Sequence, residues 1–255
     1  MKKLLFLIGF LISFSWVGAQ NSKLEALEEQ LKTQPADTVR VNLINDWVAK
    51  QGRRNPDIGL QFVNEAIHLS DSLGFAKGKA WGLFSQGGIY RVKGRYDEAI
   101  ALFLESIALF DSLSMPKHKG YVYNELGVTY RNRSLFPEAV DAHQKAAVFF
   151  EEGGYELGVA NALNNEGNAH KRTGNVEKEL EVRHRALAIS RKLKNIPLES
   201  LILMNLANRK LTDGEVSEAL KRYQEVETIY LNNNAPEIRL ADLRVNMAIA
   251  YTELG

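Results

Sequence analysis

The sequence predicts an all-α protein, an α-solenoid of stacked antiparallel helix hairpins with about five and a half units of forty residues. Three observations predict it. Small and aromatic residues recur forty positions apart, as in Gly87, Gly127 and Gly167 with Ala207 continuing the column. Between these markers the apolar residues follow helical spacing, as in Ile100, Phe103, Leu104, Ile107 and Phe110 with Asp97, Glu98 and Glu105 among them. Proline and glycine fall at regular places between the helical stretches. A unit of this kind leaves apolar surface uncovered until the next one stacks on it.

Along the chain, Lys2 and Lys3 precede an apolar run from Leu4 to Val17 that ends on Gly18 and Ala19. That order reads as a secretory signal over 1–19, cleaved before Gln20. The run is about 14 residues, short of the roughly 20 that span a bilayer, so an uncleaved anchor is the weaker alternative. The expected location is outside the cytoplasm: periplasm or cell envelope, or secreted. Residues 20–37 form a linker and a short amphipathic helix, with Leu24, Leu27 and Leu31 on one side, suited to capping an open end. Full hairpins are expected at 38–74, 76–114, 116–154, 156–195 and 197–232, with a partial one at 236–255.

Each column has a packing reason. Tyr90, Tyr130, His170 and Lys210 follow three residues after the glycine column, and Gly94, Ser134, Gly174 and Gly214 follow four after that. Gly94, Gly174 and Gly214 stand where a first helix must turn tightly into a second. Ala99, Ala139 and Ala219, with Gly59 earlier, let the two helices approach, and Ala66, Ser106, Ala146, Ala186 and Val226 form a further column. Pro116, Pro197 and Pro236 fall near expected helix starts, where a missing N–H costs nothing. In the fourth unit Glu179 replaces the small residue and Arg183 the aromatic seen at Phe103 and Tyr223, and Lys210 replaces the tyrosine in the fifth. Met247, Ala248 and Tyr251 continue the internal columns and Gly255 would be the turn glycine of a sixth unit, so the last helix is either a lone cap on the array or the start of a longer chain.

Gly-x-x-Tyr, a turn glycine and an alanine nine residues after the tyrosine, as in Gly87, Tyr90, Gly94 and Ala99, resemble the tetratricopeptide repeat (TPR). The resemblance covers roughly residues 38–255 and implies a right-handed superhelix whose first helices line a concave groove. The stretch Pro35 to Leu43 ahead of forty-residue hairpins is further similar to the extracytoplasmic input region of bacterial sensor histidine kinases and cyclases. There the repeats precede a membrane span and a cytoplasmic catalytic domain, and neither is visible in these 255 residues.

Composition narrows the chemistry. There are 32 Lys plus Arg against 31 Asp plus Glu, a formal charge of +1, so no basic face for nucleic acid is expected. With no cysteine, disulfides, thiolate nucleophiles and cysteine metal sites are all removed. The five histidines, His68, His118, His143, His170 and His184, have no ligand-like spacing, so neither metal nor cofactor is expected. No nucleophile triad, zinc motif or Walker loop is present, and the expectation is a non-catalytic protein.

A groove is the better candidate. Asn45, Asn165, Asn205 and Asn246 stand two residues before the glycine column, Asn168 and Asn208 one turn on, and Asn124, Asn161 and Asn164 nearby. Asparagine is a mediocre helix former, so its accumulation within helices calls for a reason. Its amide both donates and accepts, which suits clamping the backbone of an extended peptide. The competing reading is that the amides bond to one another across neighbouring helices. Arg91, Arg131 and Lys171, joined by Arg172, recur near first-helix ends. They either hold a carboxylate or other anion, or merely complement helix C-termini at about 0.3–1 kcal/mol each. The partner is therefore expected to be a protein or peptide, with two functions in view: a free binding scaffold, or the signal-input region of a membrane receptor.

Overall fold

The computed structural model describes residues 22–254; the expected signal at 1–19 and Gly255 lie outside them. Every regular element among the described residues is helical. They divide into two compact units, one ending at Leu113 and one beginning at Ser114.

The first unit holds α1 (residues 22–33), α2 (Thr38–Trp47), a π-helical turn (Val48–Gly52), α3 (Pro56–Ser72), α4 (Ala76–Val92) and α5 (Tyr96–Ser112). Asp37 caps α2 by accepting from the amides of Val39 and Arg40, and those bonds hold its carboxyl below the usual range. The π turn is a departure that the forty-residue pattern does not announce. It coincides with a backbone approach: a Cβ on Gly59 would lie 2.7 Å from the Cα of Gly52, so neither glycine tolerates a side chain here. Trp47 occupies the glycine column and donates its indole N–H to the Lys23 carbonyl of α1 at 3.2 Å, while the facing aromatic slot holds the smaller Val63. Large and small have exchanged places across that pair.

The second unit runs α6 (Pro116–Asn132), α7 (Phe136–Glu152), α8 (Glu156–Thr173), α9 (Val176–Lys192), α10 (Ile196–Thr212), α11 (Val216–Asn232) and α12 (Glu237–Leu254), each helix packed on its neighbour in the chain. Alanines keep the helices close, Ala139, Ala146, Ala160, Ala186 and Ala219 being wholly buried. Tyr121, Phe150 and Tyr155 form an aromatic cluster with centroids 5.1–5.6 Å apart, Phe150 meeting both tyrosines edge-to-face. Burial there, with the Tyr155 hydroxyl beside it, pushes the Tyr121 phenol up to about 12. Pro116 opens α6 and Pro197 sits second in α10, whereas Pro236 lies just before α12. That helix packs through Leu243, Met247 and Ala250 and leaves Val245 and Tyr251 more than half exposed.

Helices α3 to α11 end alike. A left-handed residue recurs every twenty positions, at Gly74, Gly94, Ser114, Ser134, Gly154, Gly174, Lys194, Gly214 and Asn234, with φ between 49° and 79°. The sequence assigned turn glycines within hairpins; the same turn also closes the junctions between them. At Gly94 the geometry is a Schellman motif, Arg95 N–H reaching Tyr90 O at 2.9 Å and Gly94 N–H reaching Arg91 O at 3.1 Å. At Tyr155 the apolar contact that accompanies such a cap is its ring against Phe150.

Candidate functional site

The site is built from one repeating contact. In three successive hairpins the glycine of the first helix faces position 103, 143 or 183 of the second, and Ala207 and Tyr223 hold the same two positions in a fourth. Phe103 fills that slot in the first unit, and a Cβ on Gly87 would come within 2.8 Å of its ring. In the second unit the slot is polar three times: His143 against Gly127, Arg183 against Gly167, and the buried Tyr223. A buried polar group costs free energy unless it is hydrogen-bonded, and asparagines on the preceding helices supply the partners.

His143 Nδ1 lies 3.2 Å from Asn124 Oδ1, so that nitrogen carries the proton and donates. Its Nε2 is buried with no partner. Burial, with the Arg131 charge adding to it, lowers the His143 pKa to about 3, so the ring stays neutral. Arg183 donates to Asn164 Oδ1 at 3.0 Å, to Asn168 Oδ1 at 2.9 Å and to Glu179 Oε1 at 3.1 Å. Glu179 is fully buried, Arg183 is 1% exposed, and the guanidinium of Arg209 stands 3.8 Å from Glu179 Oε2. Burial pulls the Arg183 pKa down, and Glu179 opposes it. The Tyr223 hydroxyl donates to Asn208 Oδ1.

These contacts fix which way the amides point. Arg183 has only donors, so Asn164 and Asn168 must present oxygen to it and turn their NH2 groups elsewhere. Asn165 donates to Asn124 Oδ1 at 3.0 Å and Asn205 to Asn164 Oδ1 at 3.1 Å, a ladder that ties α8 to α6 and α10 to α8. Asn161 donates to the Leu157 carbonyl of its own helix at 2.8 Å. Each of these amides thus has one half engaged by the protein. The half-buried Asn165 and Asn205, and the exposed Asn161, keep an acceptor oxygen; Asn168 and Asn208 keep a donor NH2.

The expected site residues therefore divide. Asn124, Asn161, Asn164, Asn165, Asn168, Asn205 and Asn208 come together on α6, α8 and α10 of the second unit. Asn164 is 3% exposed, which assigns it to the core rather than to a ligand. Asn246 is half-buried on α12. Asn45 belongs to the first unit, buried, with its NH2 on the Gly78 carbonyl at 2.9 Å, and Arg91 is half-buried on α4 of that unit. Lys171 and Arg172 are exposed, and Arg131 is half-buried.

Two cavities open on these helices. One of about 460 Å³ is walled by Leu157, Asn161, Leu198, Leu201, Met204 and Tyr230, with Arg239 and Asp242 at its side. The other, about 450 Å³, is lined by Arg131, Asn132, Ser134, Phe136, Asn168 and Arg172. Along α8 the positions 157, 161, 168 and 172 lie on one stripe, about 22 Å from end to end at 1.5 Å per residue. Sequence reading missed Asn132, Ser134 and Phe136, although they directly follow Arg131 through the turn into α7. Among the described residues no group of three or more His, Asp or Glu is placed to hold a metal, and no helix is long and apolar enough to cross a membrane.

Stacked hairpins with identical turns and a shared small-against-large contact define a helical-repeat scaffold. Residues 80–152 match the tetratricopeptide repeat family model. Among solved structures, BtubC (BKLC) from P. vanneervenii is similar at 19% identity and a TM-score of 0.71, over 85% of this chain and 91% of that one. Aspartyl phosphate phosphatase F from Bacillus subtilis is similar at 12% identity and a TM-score of 0.68, over 94% of this chain but 64% of that one. A Rap protein complexed with competence and sporulation factor is similar at 11% identity and a TM-score of 0.65, over 92% and 74%. At these identities the likeness establishes the TPR-like fold. No curated protein matches the chain.

Proposed function

We propose that this chain is an exported, non-catalytic TPR-type scaffold that holds an extended peptide or protein segment against α6, α8 and α10. One observation carries the reading. The amides of Asn165, Asn168, Asn205 and Asn208 are each half-engaged by the protein, which orients them and leaves donors and acceptors in alternation. Such a surface is complementary to a peptide backbone, and its rotamer entropy is already spent before binding. The Rap neighbour, whose structure contains competence and sporulation factor, is consistent with a peptide ligand. Export rests on the amino-terminal sequence, and fractionation of cells producing the full chain tests it.

Asn165→Ala with Asn205→Ala tests the groove. Each change removes one amide bond, so stability should fall by no more than about 1 kcal/mol per site. Affinity for a segment captured from envelope extract and resynthesised should fall at least tenfold. Unfolding without an affinity defect would show that these amides serve packing alone. The alternative, the sensory input region of a membrane histidine kinase or cyclase, is favoured by the Pro35 to Leu43 stretch ahead of forty-residue hairpins. The reading frame beyond codon 255 tests it.

A further inference from the structure

We propose that the cavity of about 340 Å³ between α1 and the α2–π turn segment binds an uncharged small molecule that joins an apolar body to an amide-like edge, donor and acceptor side by side. The site belongs wholly to the first unit and goes beyond the scaffold reading above, on which it does not depend. Its volume is that of a small-molecule pocket.

Much of the lining is apolar. Leu27 of α1 and Leu43 and Trp47 of α2 contribute it, with Leu27 4% and Trp47 8% exposed. The indole is held in place before any ligand arrives. Its N–H is occupied by the Lys23 carbonyl at 3.2 Å, and its ring meets Phe62 edge-on at a centroid distance of 5.4 Å. Trp47 therefore offers the cavity carbon surface and no donor.

One buried polar group joins that lining. Gln51 lies in the π turn, lines the cavity and is 8% exposed. Its backbone carbonyl already accepts from the amides of Arg54 and Asn55, at 2.9 and 3.1 Å. Its side-chain amide makes no hydrogen bond among the described residues, an unfavourable state for a group more than nine-tenths buried. Both the NH2 and the oxygen of that amide are left for a ligand.

Charge decides the class of ligand. Lys23, Asp46 and Lys50 also line the cavity, but all three are exposed, so solvent screens them and no charge is buried there. An ion seated against Leu27 and Trp47 would lose hydration without a buried counter-charge. A neutral group avoids that cost. An amide edge can also meet Gln51 through two hydrogen bonds, as a glutamine meets adenine.

The test uses the full chain and probes of nearly one shape: 3-phenylpropanamide, its acceptor-only analogue 4-phenylbutan-2-one, and the anion 3-phenylpropanoate. Titrations followed through the Trp47 indole N–H signal in NMR give the affinities, the signal being assigned by its absence from Trp47→Phe. The amide should bind about fivefold tighter than the ketone, and the anion weakest. Gln51→Met, close in shape, should abolish the preference for the amide and leave the ketone affinity unchanged. Its melting temperature should match or exceed that of the parent, because an unmet amide has left the interior. Ala26→Phe, a change at an exposed position that fills the cavity, should remove binding of every probe with helicity intact. Equal affinity of amide and ketone, or a preference that survives Gln51→Met, overturns the amide recognition. A Gln51→Met chain that melts well below the parent shows the amide to be bonded within the fold and overturns it too. Tightest binding by the anion, weakened in Lys50→Gln, overturns the neutral class. An indole signal that no probe shifts at millimolar concentration, or that shifts equally in Ala26→Phe, overturns the site.

Discussion

The α4–α5 and α8–α9 hairpins solve the same packing problem with opposite chemistry. In the first, Ala99 and Phe103 stand one helical turn apart, and Phe103 packs on Gly87 and on Phe84, ring centroids 6.0 Å apart. In the second, the same two positions are Glu179 and Arg183, an ion pair as deeply buried as the phenylalanine. The apolar version stabilises by area removed from water, about 1.5–3 kcal/mol for a fully buried aromatic. The ionic version must offset two desolvation costs with bonds, and it recruits Asn164 and Asn168 to do so. A slot in this stack selects for shape first; polarity is admissible wherever the neighbouring helix supplies partners. What the ionic version adds is orientation, since it fixes the amides on the face where a ligand would lie.

The largest expected effect breaks that contrast. Glu179→Ala leaves a buried guanidinium without its carboxylate and should cost about 3–5 kcal/mol in denaturant unfolding. Adding Arg183→Phe recreates the Ala99 and Phe103 pair and should recover most of the loss. A double variant no more stable than Glu179→Ala alone would mean that the two slots differ in shape as well as in polarity.

Ala139→Leu overfills the corresponding contact of the α6–α7 hairpin, where the alanine is wholly buried, and should destabilise by about 1–3 kcal/mol in the same assay. Spread over several pH units is the response of the intermediate case, His143. Its folded pKa of about 3 lies below the ordinary value of 6.5, so the folded state binds fewer protons than the unfolded one. Its contribution is complete above pH 6.5 and lost as pH falls towards 3, with a slope of at most about 1.4 kcal/mol per pH unit. His143→Phe should remove that component from a stability profile between pH 4 and 7. The mildest change sits outside the slots: Lys194→Gly relieves a left-handed lysine and should raise stability by about 0.5–1 kcal/mol.

Much of the architecture was legible because it rests on steric rules that a single position can display. Gly87, Gly127 and Gly167 each face a side chain that would collide with a Cβ, so the column is visible without coordinates. Glu179 and Arg183 are visible too, but only as exceptions to their columns. The missing signal was a pairing across helices. A polar residue in the aromatic slot comes with an asparagine 15 or 19 residues earlier, as Asn124 precedes His143 and Asn164 precedes Arg183. The π turn at Val48–Gly52 left no such mark, since it coincides with a backbone approach between Gly52 and Gly59 that no one-dimensional periodicity records. Which half of each asparagine amide is free was equally hidden, because it depends on what the core partner can donate.

The left-handed residue every twenty positions has a consequence for how such a chain can change its length. Adding one residue inside any helix would rotate everything downstream by about 100° and turn its buried stripe towards water. Tandem copying of a forty-residue segment cut from one such bend to the next but one would restore every contact. Growth of this molecule is therefore quantised, and the genetic event that extends it most safely is the duplication of a whole hairpin.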